Sequence, residues 1–503
     1  MNRDALLYKM CNYKLTGHYF DIMKNMYKDV KYAIADGETC MFSSKVGVKQ
    51  GCILSPTLFS IYLNDMVKIF NVTCDPTLID NKRISCLMYA DDVILISESA
   101  NGLQNCLNKL SDYCETWNLC INIDKTKVMI FNKSGKVIRK YIFRYNDHVL
   151  EITNKYKYLG ILLKPSGSFT IATELLCKKA KKALFCIYKT LNSDKLNILP
   201  NLKLFDSCVK PILLYCSEVL CLETLLKDNA NVESRHFLFQ PVLVQVKFAK
   251  YILGVNKTAS NLAVLGELGM IPCSVDAIKL SVGFWHHVVN SKGTSLIRKV
   301  YDTIINSSGW YSSKIKLLLN KIRFGHVWKN QNTFSKNRLT FSVNKKLKAD
   351  YIKFWKDKLS LDGSEEKGNK LRTYRKLKEK YEIETFLKLD IVRSDVSDFI
   401  RIRISNSTLM IEKGRHRKIN LANRICPLCR SEVEDEFHFS MICDKLKDIR
   451  DEFFQKLTDI VPLFSNFSDL DKFFFIFRSN DYDINMCCIK GISEMYKYRN
   501  SLM

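Results

Sequence analysis

The sequence predicts an α+β protein, with short antiparallel strands in its first third and helices in the remainder. Two short apolar runs, 86–89 and 93–96, flank adjacent carboxylates, which is typical of a β-hairpin with Asp91 and Asp92 at its turn. Apolar residues then recur at three- and four-residue steps over 103–117, the spacing of an amphipathic helix. Further along the chain, helical spacing is combined with many lysines.

The composition favours a polyanionic partner. The 503 residues include 78 Lys and Arg against 52 Asp and Glu, a formal net charge of +26. Nucleic acid is the commonest partner of so basic a protein. The 19 cysteines follow no apolar signal stretch, and no apolar run approaches the ~18 residues of a membrane span. We therefore expect an intracellular protein that binds no membrane and carries free thiols or metal ligands rather than disulfides.

Asp91 and Asp92 are candidate metal ligands. Adjacent carboxylates repel each other, and at the end of a buried hairpin neither would be well solvated. A hard cation such as Mg²⁺ stabilises such a pair, because it prefers carboxylate and phosphate oxygens. The alternative is a solvated Asp-Asp turn, which is the commoner use of this dipeptide taken alone.

The residues before the hairpin predict two helices and a turn. Residues 4–30 have the apolar spacing of a helix. Gly47 and Gly51 then permit backbone conformations and close approaches that a Cβ would block. Ser55, followed by Pro56, predicts the N-cap and first position of a helix that continues to residue 70.

Two further segments follow the helix after the hairpin. Residues 119–131 are strand-like and include Lys125 and Lys127. Residues 156–163 predict a short strand or hairpin arm.

Four strings occur in a fixed order: GVKQGCILSP, YADD, WNLCINIDKTKVMIF and YKYLGILL. Together they resemble the reverse transcriptase of non-LTR (LINE-type) retrotransposons. The resemblance implies a right-hand polymerase, whose palm of antiparallel strands and helices precedes a helical thumb. It also implies action in nucleus and cytoplasm on template RNA, a DNA primer or target and deoxynucleoside triphosphates.

The resemblance assigns roles around the YADD string. Asp91 and Asp92 correspond to two of three carboxylates that hold two Mg²⁺ ions in nucleotidyl transfer. Such ions activate the primer 3′-hydroxyl and stabilise the leaving pyrophosphate. Tyr89 and Ala90 correspond to residues beside the primer end and the incoming nucleotide.

Other roles fall outside the hairpin. By the same resemblance, Gln50 and Gly51 help to position template and nucleotide. Lys125 or Lys127 corresponds to a lysine near the leaving pyrophosphate, a candidate general acid. For either lysine, a solvated strand residue is the open alternative.

The resemblance also implies a missing part. The family's third metal-binding Asp lies on a strand shortly before a helix like that predicted at 4–16, and the sequence begins at Met1 after that strand. We therefore expect an N-terminally truncated polymerase without this Asp, without most of the fingers and without an upstream endonuclease. Asp4 is a poor substitute, because an acidic residue in the first turn of a helix also serves the helix dipole.

From residue 170 the chain predicts basic helices. One helix carries four lysines opposite an apolar face, and in the polymerase interpretation these track the phosphates of a template–primer duplex: Lys178, Lys179, Lys181 and Lys182. A solvated lysine face is the alternative. Helices are also predicted over 203–225, kinked at Pro211, and over 238–253, ended by Gly254.

Residues 311–390 combine many Lys and Arg with aromatic residues. Such a mixture suits phosphate contacts together with base stacking on Trp328, Tyr351, Trp355 and Tyr374, although ordinary basic helices around a polar loop at 362–369 would have it too.

A Cys-x2-Cys-x8-His-x4-Cys pattern is formed by Cys426, Cys429, His438 and Cys443. Three thiolates and one imidazole complete a tetrahedral Zn²⁺ shell, which is typical of a structural site. A chance pairing of cysteines is the alternative in a cysteine-rich chain. The position and the acidic residues before His438 resemble the zinc-binding module that follows the thumb in these retroelement proteins.

An acidic stretch in this module leaves nucleic-acid contacts to flanking basic residues, for which the candidates are Arg415, Arg417, Lys418, Arg424 and Arg430.

The predicted division has five parts: partial fingers and palm (1–163), helical thumb (164–300), basic helical connection (301–404), zinc-binding module (405–445) and a C-terminal helical segment (446–503).

The predicted function is RNA-directed DNA synthesis in retrotransposition. A group II intron or other reverse transcriptase is a second interpretation, against which the zinc module argues. A third is a catalytically inactive remnant that acts only as a nucleic-acid-binding protein.

Overall fold

The structure is a computed structural model, and its described residues form two compact units. One comprises Met1–Ser168 with Lys292–Ser307, and the other Phe169–Ser291 with Ser308–Met503. The α+β prediction is confirmed, because the first unit combines small sheets with helices and the second is mainly helical. The described residues are 1–36, 38–190, 198–226, 233–331, 334–361 and 370–503.

The strands of the described residues form small sheets in the first unit. Four are two-stranded antiparallel hairpins, β1–β2, β3–β4, β5–β6 and β10–β11, and the fifth has the order β7-β9-β8 with β7 parallel to β9. The strands are β1 Val30–Asp36, β2 Glu38–Ser44, β3 Thr77–Ile79, β4 Lys82–Ile84, β5 Cys86–Tyr89, β6 Asp92–Leu95, β7 Lys127–Val128, β8 Phe143–Tyr145, β9 His148–Ile152, β10 Tyr156–Tyr158 and β11 Ile161–Leu163.

The helices belong to both units. They are α1 Arg3–Asn12, α2 His18–Lys28, α3 Ser55–Leu63, α4 Ala100–Thr116, α5 Thr170–Thr190, α6 Ile198–Leu204, α7 Lys210–Leu213, α8 Ser217–Leu225, α9 Gln240–Ile252, α10 Asn261–Glu267, α11 Cys273–Val289, α12 Leu296–Asn306, α13 Trp310–Lys321, α14 Gly325–Lys329, α15 Lys336–Leu361, α16 Tyr374–Leu377, α17 Arg393–Arg403, α18 Met410–His416, α19 Lys447–Ile460, α20 Asp469–Arg478 and α21 Tyr482–Ser501.

The helix predicted over 4–30 is two helices, α1 and α2. The backbone between them turns through two residues with positive φ, Lys14 (59°) and Gly17 (83°), and such angles cannot continue a right-handed helix. The apolar period was right on either side of the break, but no proline or strong turn pair marks it in the sequence.

The predicted N-cap of α3 is wrong. Leu54 occupies the N-cap, and Ser55 lies inside the first turn with Pro56. The Ser55 hydroxyl instead donates to the Lys49 carbonyl (2.5 Å), so it closes the preceding loop rather than capping the helix. The helix also ends at Leu63 rather than at residue 70.

The strand predicted over 119–131 is reduced to β7, which is Lys127–Val128. The residues before it form a turn, in which the Lys125 amide donates to the Asn122 side-chain oxygen (3.1 Å). Asn side chains compete in this way with the hydrogen bonds of a sheet. The prediction of α4 is confirmed, with Ser99 as its N-cap, and residues 156–163 form the predicted hairpin β10–β11.

A buried lysine anchors α1 in the core of the first unit. Lys9 is only 1% exposed, and its ammonium donates to the Tyr62 carbonyl (2.6 Å), to Asp65 (2.7 Å) and to the Tyr113 hydroxyl (2.7 Å). It also lies 3.6 Å from the ring centroid of Trp117. Burial lowers the pKa of Lys9, and the partial compensation comes from Asp65.

The helices predicted from residue 170 and over 238–253 are confirmed as α5 and α9, but the helix predicted over 203–225 is broken into several segments. Pro211 lies in the first turn of α7, directly after the π-helical turn Phe205–Val209. The break comes after α7, where Cys216 has a φ of 54° that cannot continue a right-handed helix, and α8 begins at Ser217. Helix α9 is followed by Gly254, whose φ of 63° ends it.

Base stacking on the aromatic residues of 311–390 is not supported. Tyr351, Trp355 and Tyr374 are at most 1% exposed and form part of the hydrophobic core. Trp328 stacks on Trp285 with ring centroids 5.8 Å apart. Other side chains of the protein pack against these rings, which leaves no free face for a base. The predicted polar loop at 362–369 lies outside the described residues.

Candidate active site and metal centre

The YADD hairpin has a two-residue turn. Tyr89 pairs with Asp92 across the ladder, so Ala90 and Asp91 form the turn and Asp92 begins β6. This shifts the turn by one residue from the prediction. Ala90 has a φ of 52°, a left-handed conformation that a tight hairpin turn requires and that costs a non-glycine residue about 1 kcal/mol.

Asp91 and Asp92 are both exposed, which corrects the expectation that neither would be well solvated. The hairpin is only partly buried, with Tyr89 65% exposed beside them. Neither carboxylate has an ion pair with another described residue. Two adjacent, accessible carboxylates without a cationic side chain suit a divalent cation.

A third ligand is not found for this pair. Within the described part of the chain, Asp91 and Asp92 belong to no group of three or more Asp, Glu, His or Cys residues that could hold a metal together. Two carboxylates alone provide an incomplete protein shell for two ions.

The loop before α3 presents Gln50 and Gly51, which are both exposed. Gly47 and Gly51 have φ values of 81° and 79°, but a Cβ added to either would meet nothing within 4 Å. The glycines are therefore required by the backbone angle and not by a close contact within the chain.

Arg3 holds this loop, and sequence reasoning did not find it. Its guanidinium donates to the carbonyls of Gly47 (3.1 Å) and Ser44 (2.5 Å), while the Gly47 amide donates to the Met1 carbonyl (2.9 Å). A single arginine near a chain terminus gives no pattern that would have revealed this role.

The second unit contains the predicted cluster of three cysteines and one histidine. One potential ligand atom from each of Cys426, Cys429, His438 and Cys443 lies within 4.8 Å of the others. Cys429 Sγ is 3.4 Å from His438 Nε2, and Cys426 Sγ is 3.9 Å from Cys443 Sγ. Such a set is the donor chemistry of a structural zinc site.

The backbone shapes this cluster. The Cys426 amide donates to the Glu432 carbonyl (2.8 Å), and Arg430 turns the chain with a φ of 59°. The pKa of Cys429 is about 6: burial raises it, but the Ser431 hydroxyl and amide, with further contacts, lower it by more. Burial raises the pKa of Cys426 to about 12.

The two ring nitrogens of His438 have different surroundings: Nε2 lies near Cys429 Sγ, where it could bind a metal, and Nδ1 lies near the Glu432 carboxylate. Its Nδ1 lies 3.4 Å from a Glu432 carboxylate oxygen, without hydrogen-bond geometry to any described group. A carboxylate near the second nitrogen of a metal-ligating histidine commonly fixes its tautomer. The Asp435 carboxylate accepts from the His438 amide (2.8 Å) and so orients the start of this turn.

Comparison with known proteins identifies the first third of the chain. Residues 1–163 match the family described as reverse transcriptase (RNA-dependent DNA polymerase). Residues 1–163 belong to the reverse transcriptase family. This match confirms the family that was predicted from the fixed order of the four strings GVKQGCILSP, YADD, WNLCINIDKTKVMIF and YKYLGILL.

Relatives of the reverse transcriptase domain are retrotransposon proteins. The chain is 26% identical over 307 residues to the RNA-directed DNA polymerase from mobile element jockey of Drosophila funebris, an alignment that covers 59% of this chain and 31% of that protein. It is 28% identical over 181 residues to the jockey polymerase of Drosophila melanogaster, covering 34% and 19%. With the Pol polyprotein from the type-1 retrotransposable element R2 of Bradysia coprophila it shares 26% identity over 172 residues, covering 33% and 19%.

The chain spans less than a third of the length of these relatives. Their names agree with a reverse transcriptase of the non-LTR type rather than with a group II intron protein. No helix among the described residues is both long and apolar enough to cross a membrane.

The two candidate lysines of the reverse transcriptase domain differ in their surroundings. Lys127 pairs with Glu151 across β7 and β9, with Nζ 2.8 Å from Oε2. Lys125 is exposed in the turn before β7, and its ammonium has no ion pair with a described residue. Of these two lysines, Lys125 can therefore bind an anionic ligand without breaking an ion pair, whereas Lys127 would have to leave Glu151.

Tyr158 is a further residue of this domain that sequence reasoning missed. Burial raises the pKa of its hydroxyl, and the nearby Asp92 carboxylate raises it further. Tyr158 belongs to β10, so the β10–β11 hairpin is close enough to the YADD hairpin for Asp92 to influence it. The YKYLGILL string pointed to this segment but did not indicate which of its tyrosines is influenced by Asp92.

The basic residues that flank the Cys/His cluster divide into two groups. Arg424 is buried and donates to the carbonyls of Ile419 (3.0 Å) and Ile411 (3.1 Å), and Arg415 pairs with Glu412 (2.5 Å). These two cannot serve as free phosphate ligands, which corrects their prediction. The residues that remain exposed are Arg417, Lys418 and Arg430.

Proposed function

We propose that the chain is the polymerase part of an RNA-directed DNA polymerase of a non-LTR retrotransposon. The observation that carries this proposal is the hairpin of the reverse transcriptase domain, which presents Asp91 and Asp92 as adjacent, exposed carboxylates without cationic partners among the described residues. The substrates are template RNA, a DNA primer or target and deoxynucleoside triphosphates. The net charge of +26 suits such polyanions.

Asp91 and Asp92 would hold Mg²⁺. When bound, a two-ion site activates the primer 3′-hydroxyl and stabilises the leaving pyrophosphate. The chain itself would position the reactants: Tyr89 and Ala90 beside the primer end, and Gln50 and Gly51 beside the template and nucleotide. Synthesis also needs a third carboxylate, which the described residues do not place beside the pair.

Lys125 would give a proton to the leaving pyrophosphate. Its exposed, unpaired ammonium can approach a phosphate, whereas Lys127 is held by Glu151. A positioned lysine stabilises the charge that develops on the leaving group and so lowers the barrier.

The cluster of Cys426, Cys429, His438 and Cys443 would hold one structural Zn²⁺. Four protein ligands leave no open position for substrate. The zinc-binding module would then contact RNA or target DNA through the exposed Arg417, Lys418 and Arg430.

A second candidate function is nucleic-acid binding without catalysis, by an inactive remnant of such an element. The observation that favours it is the incomplete set of carboxylates around Asp91 and Asp92. The intact YADD hairpin and the unpaired Lys125 favour the polymerase.

Primer extension on an RNA template, with Mg²⁺ or Mn²⁺, separates the two functions. The test compares the chain with its Asp91→Asn variant, and Asp112→Asn is the matched control because Asp112 is an exposed acid on α4 of the same unit. Extension that is lost only in Asp91→Asn establishes a polymerase. If no extension occurs while RNA binding persists, the chain is a binding protein and the polymerase proposal fails.

A further inference from the structure

Helix α15 is the most basic of the helices that the structure describes outside the reverse transcriptase domain. Its residues include eight Lys and Arg against two Asp. One side is buried in the second unit, where Val343, Leu347, Tyr351 and Trp355 are at most 4% exposed. The Trp355 indole donates to the Leu262 carbonyl (3.0 Å), which fixes the rotation of the helix about its axis.

The exposed residues of α15 include a set that we name the α15 stripe: Arg338, Phe341, Lys345, Lys348 and Lys356, at steps of three, four, three and eight. All five are exposed. Because a helix rises 1.5 Å per residue, the stripe extends over roughly 27 Å, enough for several nucleotides.

The cations of the stripe have no acidic partners among the described residues. The two acids of α15 lie off the stripe, and Asp350 pairs with Lys346, which is not part of it. No acidic side chain of α15 therefore interrupts the row of cations around Phe341.

Phe341 is 68% exposed in the middle of this row. A merely solvated lysine face gains nothing from a large apolar ring in water, since leaving such a side chain exposed forgoes about 1.5–3 kcal/mol of burial. Its ring has no contact with another aromatic side chain of the described residues. An aromatic face between cations is the arrangement that stacks a base while its phosphates are neutralised.

We propose that the α15 stripe binds a single-stranded nucleic acid, with the backbone along Arg338, Lys345, Lys348 and Lys356 and one base stacked on Phe341. A single strand is required because the bases of a duplex are already stacked on each other and present no free face to a side chain. The identity of the polyanion rests on the proposed function. The surface itself lies outside the reverse transcriptase match and outside the zinc-binding module. As the site of base stacking, Phe341 takes the place of the aromatic residues that were predicted for this role and are covered in the structure.

The first test measures fluorescence anisotropy of a labelled 12-nucleotide oligouridylate and of a 12-base-pair duplex with the full chain. Phe341→Ala should weaken single-strand binding about tenfold and leave duplex binding unchanged, because a stacked base contributes on the order of 1–3 kcal/mol. Phe341→Tyr should restore the affinity, whereas Phe341→Leu should not. Equal losses for both ligands, or no loss for either, would overturn the assignment.

The second test compares two lysines of the same helix. Lys348→Ala, on the stripe, should lower the slope of log affinity against log salt by roughly 0.7, the value for one phosphate contact to a single strand. Lys353→Ala is the matched control, exposed but off the stripe, and should leave the slope unchanged. Identical slopes for the two variants would count against the stripe.

These measurements do not depend on catalysis. If Phe341→Ala weakens single-strand binding but the chain extends no primer, the stripe stands and the polymerase proposal fails. If extension occurs while the Phe341 variants bind like the wild type, the polymerase stands and the stripe fails.

Discussion

Arg499 and Glu434 form a buried, bidentate ion pair beside the cysteine cluster. Arg499 Nε lies 2.5 Å from Oε1 and Nη2 lies 2.7 Å from Oε2, and the two side chains are at most 2% exposed. The Met410 amide also donates to Glu434 (2.6 Å), and Cys426 Sγ lies 3.9 Å from its Oε1. The pair thus joins helix α21 to the segment that carries the Cys/His cluster.

Removing one member of this pair should destabilise the second unit strongly. Arg499→Met leaves the Glu434 carboxylate buried without its cation, which typically costs about 3–5 kcal/mol. The double variant with Glu434→Gln should recover part of this loss. Urea denaturation measures both, and Lys456→Ala, which breaks the exposed pair with Glu452, is the control that should change little. A single variant as mild as the control would contradict this account.

Zinc should be present at one ion per chain. Cys429→Ser removes one of four ligands and should release the metal, because a structural site needs its closed shell. Elemental analysis of the purified protein measures the content. Cys11→Ser, an exposed cysteine of the first unit, is the control and should retain the metal. A wild-type chain without zinc would show that the cluster is not a metal site.

The two lysines near β7 should respond differently to substitution. Lys125→Ala should lower the rate constant of nucleotide addition by roughly 10²-fold or more, as expected for loss of a general acid, with little effect on stability. Lys127→Ala should chiefly remove the contact with Glu151, which is partly exposed and contributes little. Single-turnover extension with denaturation of each variant distinguishes these outcomes. The assignment is wrong if Lys127→Ala is the slower enzyme.

Burial of His236 should make the second unit sensitive to acid. The ring is 1% exposed, its Nδ1 lies 2.6 Å from the Ser274 hydroxyl, and burial lowers its pKa to about 4. The unfolded chain, with an ordinary pKa near 6.5, therefore binds more protons between these values. The stabilisation is complete above about pH 6.5 and is lost as the pH falls towards 4. Between pH 7 and pH 5 the loss should be about 2 kcal/mol.

Urea denaturation of His236→Phe at pH 7 and at pH 5 checks this predicted pH dependence of the stability. The variant has a lower stability at pH 7, because the Ser274 hydroxyl loses its partner, but the share of the pH dependence due to His236 should vanish. The exposed His287 provides the control, since His287→Gln should keep the wild-type dependence. An unchanged pH dependence in His236→Phe would refute the assignment.

The YADD hairpin and the cysteine cluster show how much could be predicted locally. Tyr89 and Asp92 are three residues apart, and a tight turn between apolar runs leaves few alternative pairings. The error of one residue in the turn arose because Ala90 adopts a positive φ that its residue type does not announce. The four members of the Cys/His cluster could be predicted because close spacing of Cys and His is itself the signal.

Burial could not be predicted in the same way. Trp355 and Phe341 lie on the same basic helix, yet one is in the core and the other is 68% exposed. Arg417 and Arg424 are only seven residues apart, but of the two only Arg424 donates to backbone carbonyls among the described residues. Which residues of such a helix or loop are buried depends on partners far along the chain, such as Leu262 for Trp355.

The sequence by itself determined the family, the order of the functional segments and the identity of the candidate ligands, because these reside in residue types at short spacing. Only the tertiary structure decided which lysine is held by Glu151, which arginines are taken up by buried acids, and which aromatic ring remains free. The physical reason is that ion pairs and burial join residues that are distant in sequence. Their energies depend on desolvation, which no local pattern records.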